Sequence, residues 1–324
     1  LLVNTGASKV ESMLEYGQQH IDRALELDPQ SGYAHAVMAR YDIAAGIGDP
    51  EARLEKALSL SPNSVDVLDI YSTWLREEDR NEEALDYVNR ALQLDPLSAS
   101  LWHDLGRSLV ALGRFEQANA AFRRISEIDP LNPQASHGAV MATFLGGQLA
   151  EAGYWSDINA STDPDDFENT SSVAIIRISL GQFEAARDAI DYSLSIGPVE
   201  PHPLSAQTIY LTVKDRRPEA VSVARTALAN QLPDRWSSEQ VFLRTLRDEA
   251  IESGNTDEAL GWYRQKTPEL FDDHPEFDKQ NIQKAADLGL LLQLAGEQDR
   301  AKTILEQTVT AYDGLYVRGA ANYP

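Results

Sequence analysis

Three histidines, His35, His103 and His137, fall at one place in a 34-residue interval of the sequence. Imidazoles at a fixed interval raise two kinds of chemistry, because histidine is the commonest metal ligand and titrates near neutrality. If the interval is structural, His103 and His137 stand on adjacent helices about 10 Å apart at the backbone. A zinc site would then need further ligands, and none can be picked out; the chain has no cysteine at all. The acidic run TDPDDFE, around Asp163 to Glu168, has the oxygen donors that calcium takes but lacks the glycine its loop requires, so a solvated connection accounts for it better. Asn159-Ala160-Ser161 and Asn169-Thr170-Ser171 fit the glycosylation sequon, a tripeptide short enough to arise by chance. No G-x-G-x-x-G, G-x-x-x-x-G-K, H-E-x-x-H or G-x-S-x-G occurs. The residues therefore predict no enzyme, no cofactor and no metal.

Composition narrows the partners. A formal charge of -23, with 28 basic residues scattered rather than striped, argues against nucleic acid, whose binding relies on clustered Lys and Arg. The same charge disfavours an anionic membrane surface, and no run approaches the roughly 18–20 apolar residues of a spanning helix. A soluble protein is expected, periplasmic or cytoplasmic. The sequence starts at Leu1 without a Met, opens partway through a helical pattern and stops at Asn322-Tyr323-Pro324, which reads as part of a longer polypeptide.

The interval itself is the strongest signal. LGRFEQA, GGQLAEA and LGQFEAA end at Ala118, Ala152 and Ala186, and the same grid reaches Ala84 in EDRNEEA and Ala220 in KDRRPEA, each 34 residues after the last. Pro62, Pro96, Pro130, Pro164 and Pro198 keep the beat, with Pro29 placed 33 residues before Pro62. One interval holds two helices of about 13 residues and two short connections. Between Pro96 and Pro130 the spacing predicts a first helix from Ala99 to Leu112, with Trp102, Leu105 and Leu109 on one face. Gly113 supplies a turn of positive φ. A second helix runs from Phe115 to Ile128, burying Ala118, Phe122 and Ile125, and Pro130 forbids its continuation. Gly106 and Ala118 let the two backbones approach while Trp102 and Phe122 fill the space beside them. One such hairpin cannot cover its own apolar face, so neighbours must stack.

Trp102, Leu105, Gly106, Ala118, Phe122 and Pro130 match the W-x2-L-G, A-x3-F and P positions of the tetratricopeptide repeat family, which has this period. The chain resembles that family over most of its length. The unit ending at Pro96 keeps Leu68, Tyr71, Ala84 and Ala91; the one ending at Pro164 has Ser156 where an aromatic is expected. The resemblance implies an all-α fold, a right-handed α-solenoid of about eight hairpins, beginning with an incomplete unit whose second helix is Lys9 to Leu27. Regular spacing extends over residues 1–233. Across 234–324 the units continue, but Ala259 and Ala301 follow at intervals of 39 and 42, with insertions in NQLPDRWSSE and KTPELFDDHPEFDKQN. Those insertions either form partner-contacting loops or are simply tolerated at repeat junctions.

In this family the first helix of each unit generally faces the concave surface. Carried onto this chain, the resemblance places His103, Arg107, His137, Met141, Phe144, Ile175, Ile178 and Ile209 in a groove for a peptide or amphipathic helix, with Ser171, Ser205 and Thr212 in the same register. Alternatively, these side chains pack between neighbouring helices. The lysine and asparagine clamp with which chaperone-binding members hold a C-terminal carboxylate has no match. The last 80 or so residues, with TPELFDDHPEFD and AADLGLLLQLAGEQDRA, are similar to the helical-repeat regions of bacterial adenylate-cyclase-like proteins and membrane-anchored winged-helix regulators. The function expected is a noncatalytic protein-interaction module, a regulatory part of a larger bacterial protein; a scaffold that associates with itself into a homo-oligomer is the alternative.

Overall fold

The computed structural model describes residues 16–230, 238–272, 275–278 and 281–317. All regular structure among these residues is helical. The chain divides into two compact units, Leu1–Pro130 and Leu131–Pro324. The first holds α1 (residues 16–27), α2 (Gly32–Ala45), α3 (Pro50–Leu60), α4 (Val65–Glu77), α5 (Asn81–Leu94), α6 (Ala99–Ala111) and α7 (Phe115–Ile128). The expected helix from Lys9 to Leu27 is thus helical over its described part, and its beginning lies outside the described residues. The second holds α8 (Pro133–Leu145), α9 (Leu149–Thr162), α10 (Phe167–Ser179), α11 (Phe183–Ile196), α12 (Pro201–Val213), α13 (Arg217–Ala229), α14 (Ser238–Ser253), α15 (Asp257–Lys266), a 3-10 turn at Pro268–Phe271, α16 (Ile282–Leu294) and α17 (Gln298–Val317). The change of repeat spacing at 233/234 falls within residues 231–237, outside the described residues.

Local chemistry sets each helix. The first helix of a hairpin begins at a capping residue: Ser31, Ser64 and Ser98 accept from the amides of Ala34, Val67 and Leu101, and Asn132 and Asp166 do the same for α8 and α10. These side chains satisfy amides that have no partner inside the helix. Asp166, part of the acidic run, is therefore a helix cap. The turn inside the hairpin needs one residue in the left-handed region. Gly113, Gly147 and Gly181 take it in three repeats, while Asp79 and Asp215 take it at φ 63° and 57° in two others. Aspartate is among the few side chains that tolerate this conformation. The following amide then reaches back to close the helix end, as in Arg114 N donating to Leu109 O at 2.8 Å.

Packing follows the small residues of the grid. Ala84, Ala118, Ala152, Ala186 and Ala220 are all fully buried. At Gly106 a Cβ would lie 2.6 Å from the Phe122 ring, so the ring sits directly on the α6 backbone. In the first unit, Leu54, Val67, Tyr71, Trp74 and Leu75 make one core with Ala36, Ala57 and Ala84. The second unit has two interiors of different kinds. Towards its C-terminal end Phe242, Leu243, Tyr263, Leu288 and Leu291 form an apolar core. From α8 to α12 the buried positions include many hydroxyls: Thr143, Ser156, Ser171 and Thr208 donate to carbonyls three or four residues back on their own helices. Ser156, where an aromatic was expected, is one of these. Asn159, in a sequon, is buried and bridges Ser136 to Asn169.

Candidate interaction face

The residues expected in the groove lie on the first helices of the hairpins. In the first unit these are α2, α4 and α6. His103 lies on α6 with a side chain 20% exposed, its Nδ1 3.7 Å from the Asp104 carboxylate and its ring edge-on to Phe122 at 6.1 Å. Arg107, one turn on, is exposed. Sequence reasoning missed three groups beside them. Arg76 on α4 reaches Asp104 at 3.6 Å, and both are largely buried. Asp69, also on α4, meets the Asp104 carboxyl, and two facing carboxylates can only share a proton. Burial, then the Asp104 charge and hydrogen bond, pushes Asp69 up to about 7, with Arg40 pulling partly the other way. Burial also opposes ionisation of Asp104, but the His103 hydrogen bond and the Arg76 charge hold its carboxyl below the usual range. Burial, and then the charge of Arg107, lowers Arg76. A signal for Asp69 was present: it fills the place in the 34-residue interval that His35, His103 and His137 occupy.

The three histidines do not act alike. His35 is buried, its Nε2 3.1 Å from the Pro29 carbonyl, and it ties α2 to the preceding proline. His103 belongs to the charged cluster, and His137 is exposed on α8 in the other unit. No group of three or more His, Cys, Asp or Glu among the described residues is placed to hold a metal.

In the second unit Met141 and Phe144 are half-buried on α8. Ile175 on α10 and Ile209 on α12 are also half-buried, and they lean on a core of Ala174, Ile178, Ala186, Ile190, Ala206 and Tyr210. Ile178 is a correction to the expected groove. It is only 8% exposed because α11 and α12 cover that side of α10, so it serves the packing between helices. Ser171 and Ser205, in the same register, are buried too.

Residues 72–142 match the tetratricopeptide repeat family model. Over this stretch the chain carries tetratricopeptide repeats. Solved structures with such repeats superpose on it. PilW, described as a widely conserved type IV pilus biogenesis factor, is 22% identical with a TM-score of 0.56, covering 64% of this chain and 95% of that one. A tetratricopeptide repeat protein from Parabacteroides merdae is 15% identical with a TM-score of 0.57, covering 76% and 97%. PilF of Pseudomonas aeruginosa is 17% identical with a TM-score of 0.52, covering 63% and 93%. Identities this low establish the fold alone. Among curated proteins, the chloroplastic PsbD mRNA maturation factor Nac2 of Chlamydomonas reinhardtii is 29% identical over 143 residues, which is 42% of this chain. The chain spans 9% of the length of that relative.

Tetratricopeptide repeats generally mediate contacts between proteins. In this chain the cluster on α4 and α6 offers paired charges of both signs, whereas α8, α10 and α12 offer half-buried apolar side chains. No helix among the described residues is long and apolar enough to cross a membrane.

Proposed function

We propose that this chain is a noncatalytic interaction module that binds a peptide or amphipathic helix along the first helices of its repeats, as a regulatory part of a larger bacterial protein. The observation that carries this reading is the half-exposed pair Met141 and Phe144 on α8, continued on α10 and α12 by Ile175 and Ile209. Side chains in that state lose further water contact when an amphipathic partner covers them, at about 25 cal/mol per Å2 of apolar area. The regulatory role within a bacterial protein is supported by the resemblance of the C-terminal portion. The Nac2 name raises an RNA reading, but a charge of -23 opposes a phosphate backbone.

Panning a random peptide display library against the chain, then repeating the binding with Phe144→Asp, tests the proposal. Enriched peptides should lose about tenfold or more in affinity for the variant, while far-UV circular dichroism stays unchanged. Sedimentation velocity on the free chain separates the alternative. A mass that grows with concentration at low micromolar levels, with no peptide enriched, would replace peptide binding by self-association.

A further inference from the structure

A second contact surface lies on the other side of α10. Between α9, α10 and α11 there is a cavity of about 340 Å3 that opens to solvent, walled by Ala160, Pro164, Thr170, Val173, Ala189 and Tyr192. At about 100° per residue, Thr170 and Val173 lie roughly opposite Ile175 on the helix, so this surface is distinct from the proposed groove. The repeat grid explains why the space is empty. Ala160 stands where other repeats place Leu92, Leu194 and Leu228, and Thr170 stands where they place Leu68, Trp102 and Leu204. Leu92, Leu228, Leu68 and Leu204 are buried packing residues in their own repeats. The preceding repeat is also small at both places, with Ser126 and Ser136, but it holds the buried Trp155 where this one has Ala189, so this repeat lacks a large side chain at all three wall positions.

The cavity offers almost no unmet polarity. Ser161 Oγ donates to the Ile158 carbonyl, and Thr170 Oγ1 donates to the carbonyls of Asp166 and Phe167. Asp157 is held by Arg177 at 2.7 and 2.5 Å. An apolar group therefore fits the interior, and a volume at the small end of the roughly 300–1,000 Å3 of ligand pockets suits one side chain rather than a large cofactor. Beside the Asp157–Arg177 pair the rim carries further acids. Asp163 and Asp165 flank Pro164, Asp191 precedes Tyr192, and all three are exposed with no ion-pair partner among the described residues. A second copy of a chain with net charge -23 is a poor occupant on the same ground.

We infer that this cavity receives one bulky apolar side chain, leucine- to tryptophan-sized, from a partner segment that carries lysine or arginine on either side of it. The bulk that this repeat lacks is supplied from outside, and the flanking cations meet Asp163, Asp165 and Asp191.

The probe is a fluorescein-labelled pentapeptide, Lys-Lys-Trp-Lys-Lys, titrated by anisotropy at physiological salt. Saturable binding is expected. It should weaken about tenfold or more with Ala160→Leu, which fills the space from within, and equally when the central residue is Ala or the flanks are Glu. Phe144→Asp should leave it unchanged, which separates this site from the groove. Equal binding by the Trp and Ala peptides, or undiminished binding by Ala160→Leu, would overturn the inference. So would a dimer of the free chain that Ala160→Leu abolishes, which would make a second copy the occupant. If Ala160→Leu loses helicity, the methyl resonances of Ala160 and Ala189 in the unaltered chain decide. They should shift on adding the Trp peptide and stay still with the Ala peptide; no shift with the Trp peptide refutes the site.

Discussion

Asp69→Asn is the sharpest test of the charged cluster. A carboxyl whose pKa is about 7 in the folded chain, against an ordinary 3.8, binds more protons folded than unfolded throughout that interval. Its contribution to stability therefore falls as pH rises from about 4 to about 7 and is level beyond. Fully buried, such a group would lose about 1.36 kcal/mol per decade, about 4 kcal/mol in all. Asp69 keeps part of its surface in water, and screening reduces the loss to about 1–2 kcal/mol. Asp104 does not blur the test: its pKa is held low, so its contribution is already complete above the ordinary carboxylate value and stays constant between pH 5 and pH 8. Asn has the shape of Asp and can donate to Asp104. The variant should match the native chain near pH 3 and exceed it by about 1–2 kcal/mol at pH 8, with roughly a third of that gain present by pH 5. Repeat arrays open locally, so amide exchange of α4 and α6 is the assay, corrected for the pH dependence of intrinsic exchange. Protection at pH 8 should rise about 5- to 30-fold. A carboxyl resonance of Asp69 titrating near 4, or equal protection of both chains at pH 8, refutes the shared proton.

Two further substitutions probe the packing. Gly106→Ala places a Cβ 2.6 Å from the Phe122 ring, and thermal unfolding should show a loss of about 1–3 kcal/mol that Phe122→Leu in the same chain partly restores. Asp287, 7% exposed on α16, is an acceptor for Arg247, for Arg244 at 3.2 Å and for the Tyr263 hydroxyl at 3.4 Å. Asp287→Ala leaves Arg247 with Asp248 alone and a fully buried phenol without its acceptor, and should cost about 1–3 kcal/mol by chemical denaturation. Arg244→Ala, at a side chain 46% exposed, should cost under about 1 kcal/mol; equal losses would refute the account.

The hairpins were legible in the sequence because their punctuation is local. Ala99 to Leu112 was expected for a helix that runs Ala99–Ala111, and Phe115–Ile128 was read as found. A capping serine, a left-handed glycine and a proline stop each act within a few residues. Asp79 and Asp215 in the left-handed turn were less visible, since aspartate is also an ordinary surface residue. The candidate face was legible only as a stripe on a helix. Periodicity groups Ile175 with Ile178, but it does not say that α11 and α12 cover Ile178 and leave Ile175 half-open. The Asp69, Arg76 and Asp104 cluster is assembled from two helices whose mutual rotation no local signal encodes.

The hairpin turns show how this chain can change without losing its architecture. Four successive hairpins close themselves: a polar side chain caps the first helix, α4, α6, α8 or α10, one left-handed residue reverses the chain, and a proline follows soon after the second helix. Removing or duplicating 34 residues in register therefore leaves no helix end exposed, whereas removing a handful within one hairpin parts that hairpin from its own cap, turn or packing partner. Within the regular stretch the natural quantum of insertion and deletion is a whole hairpin.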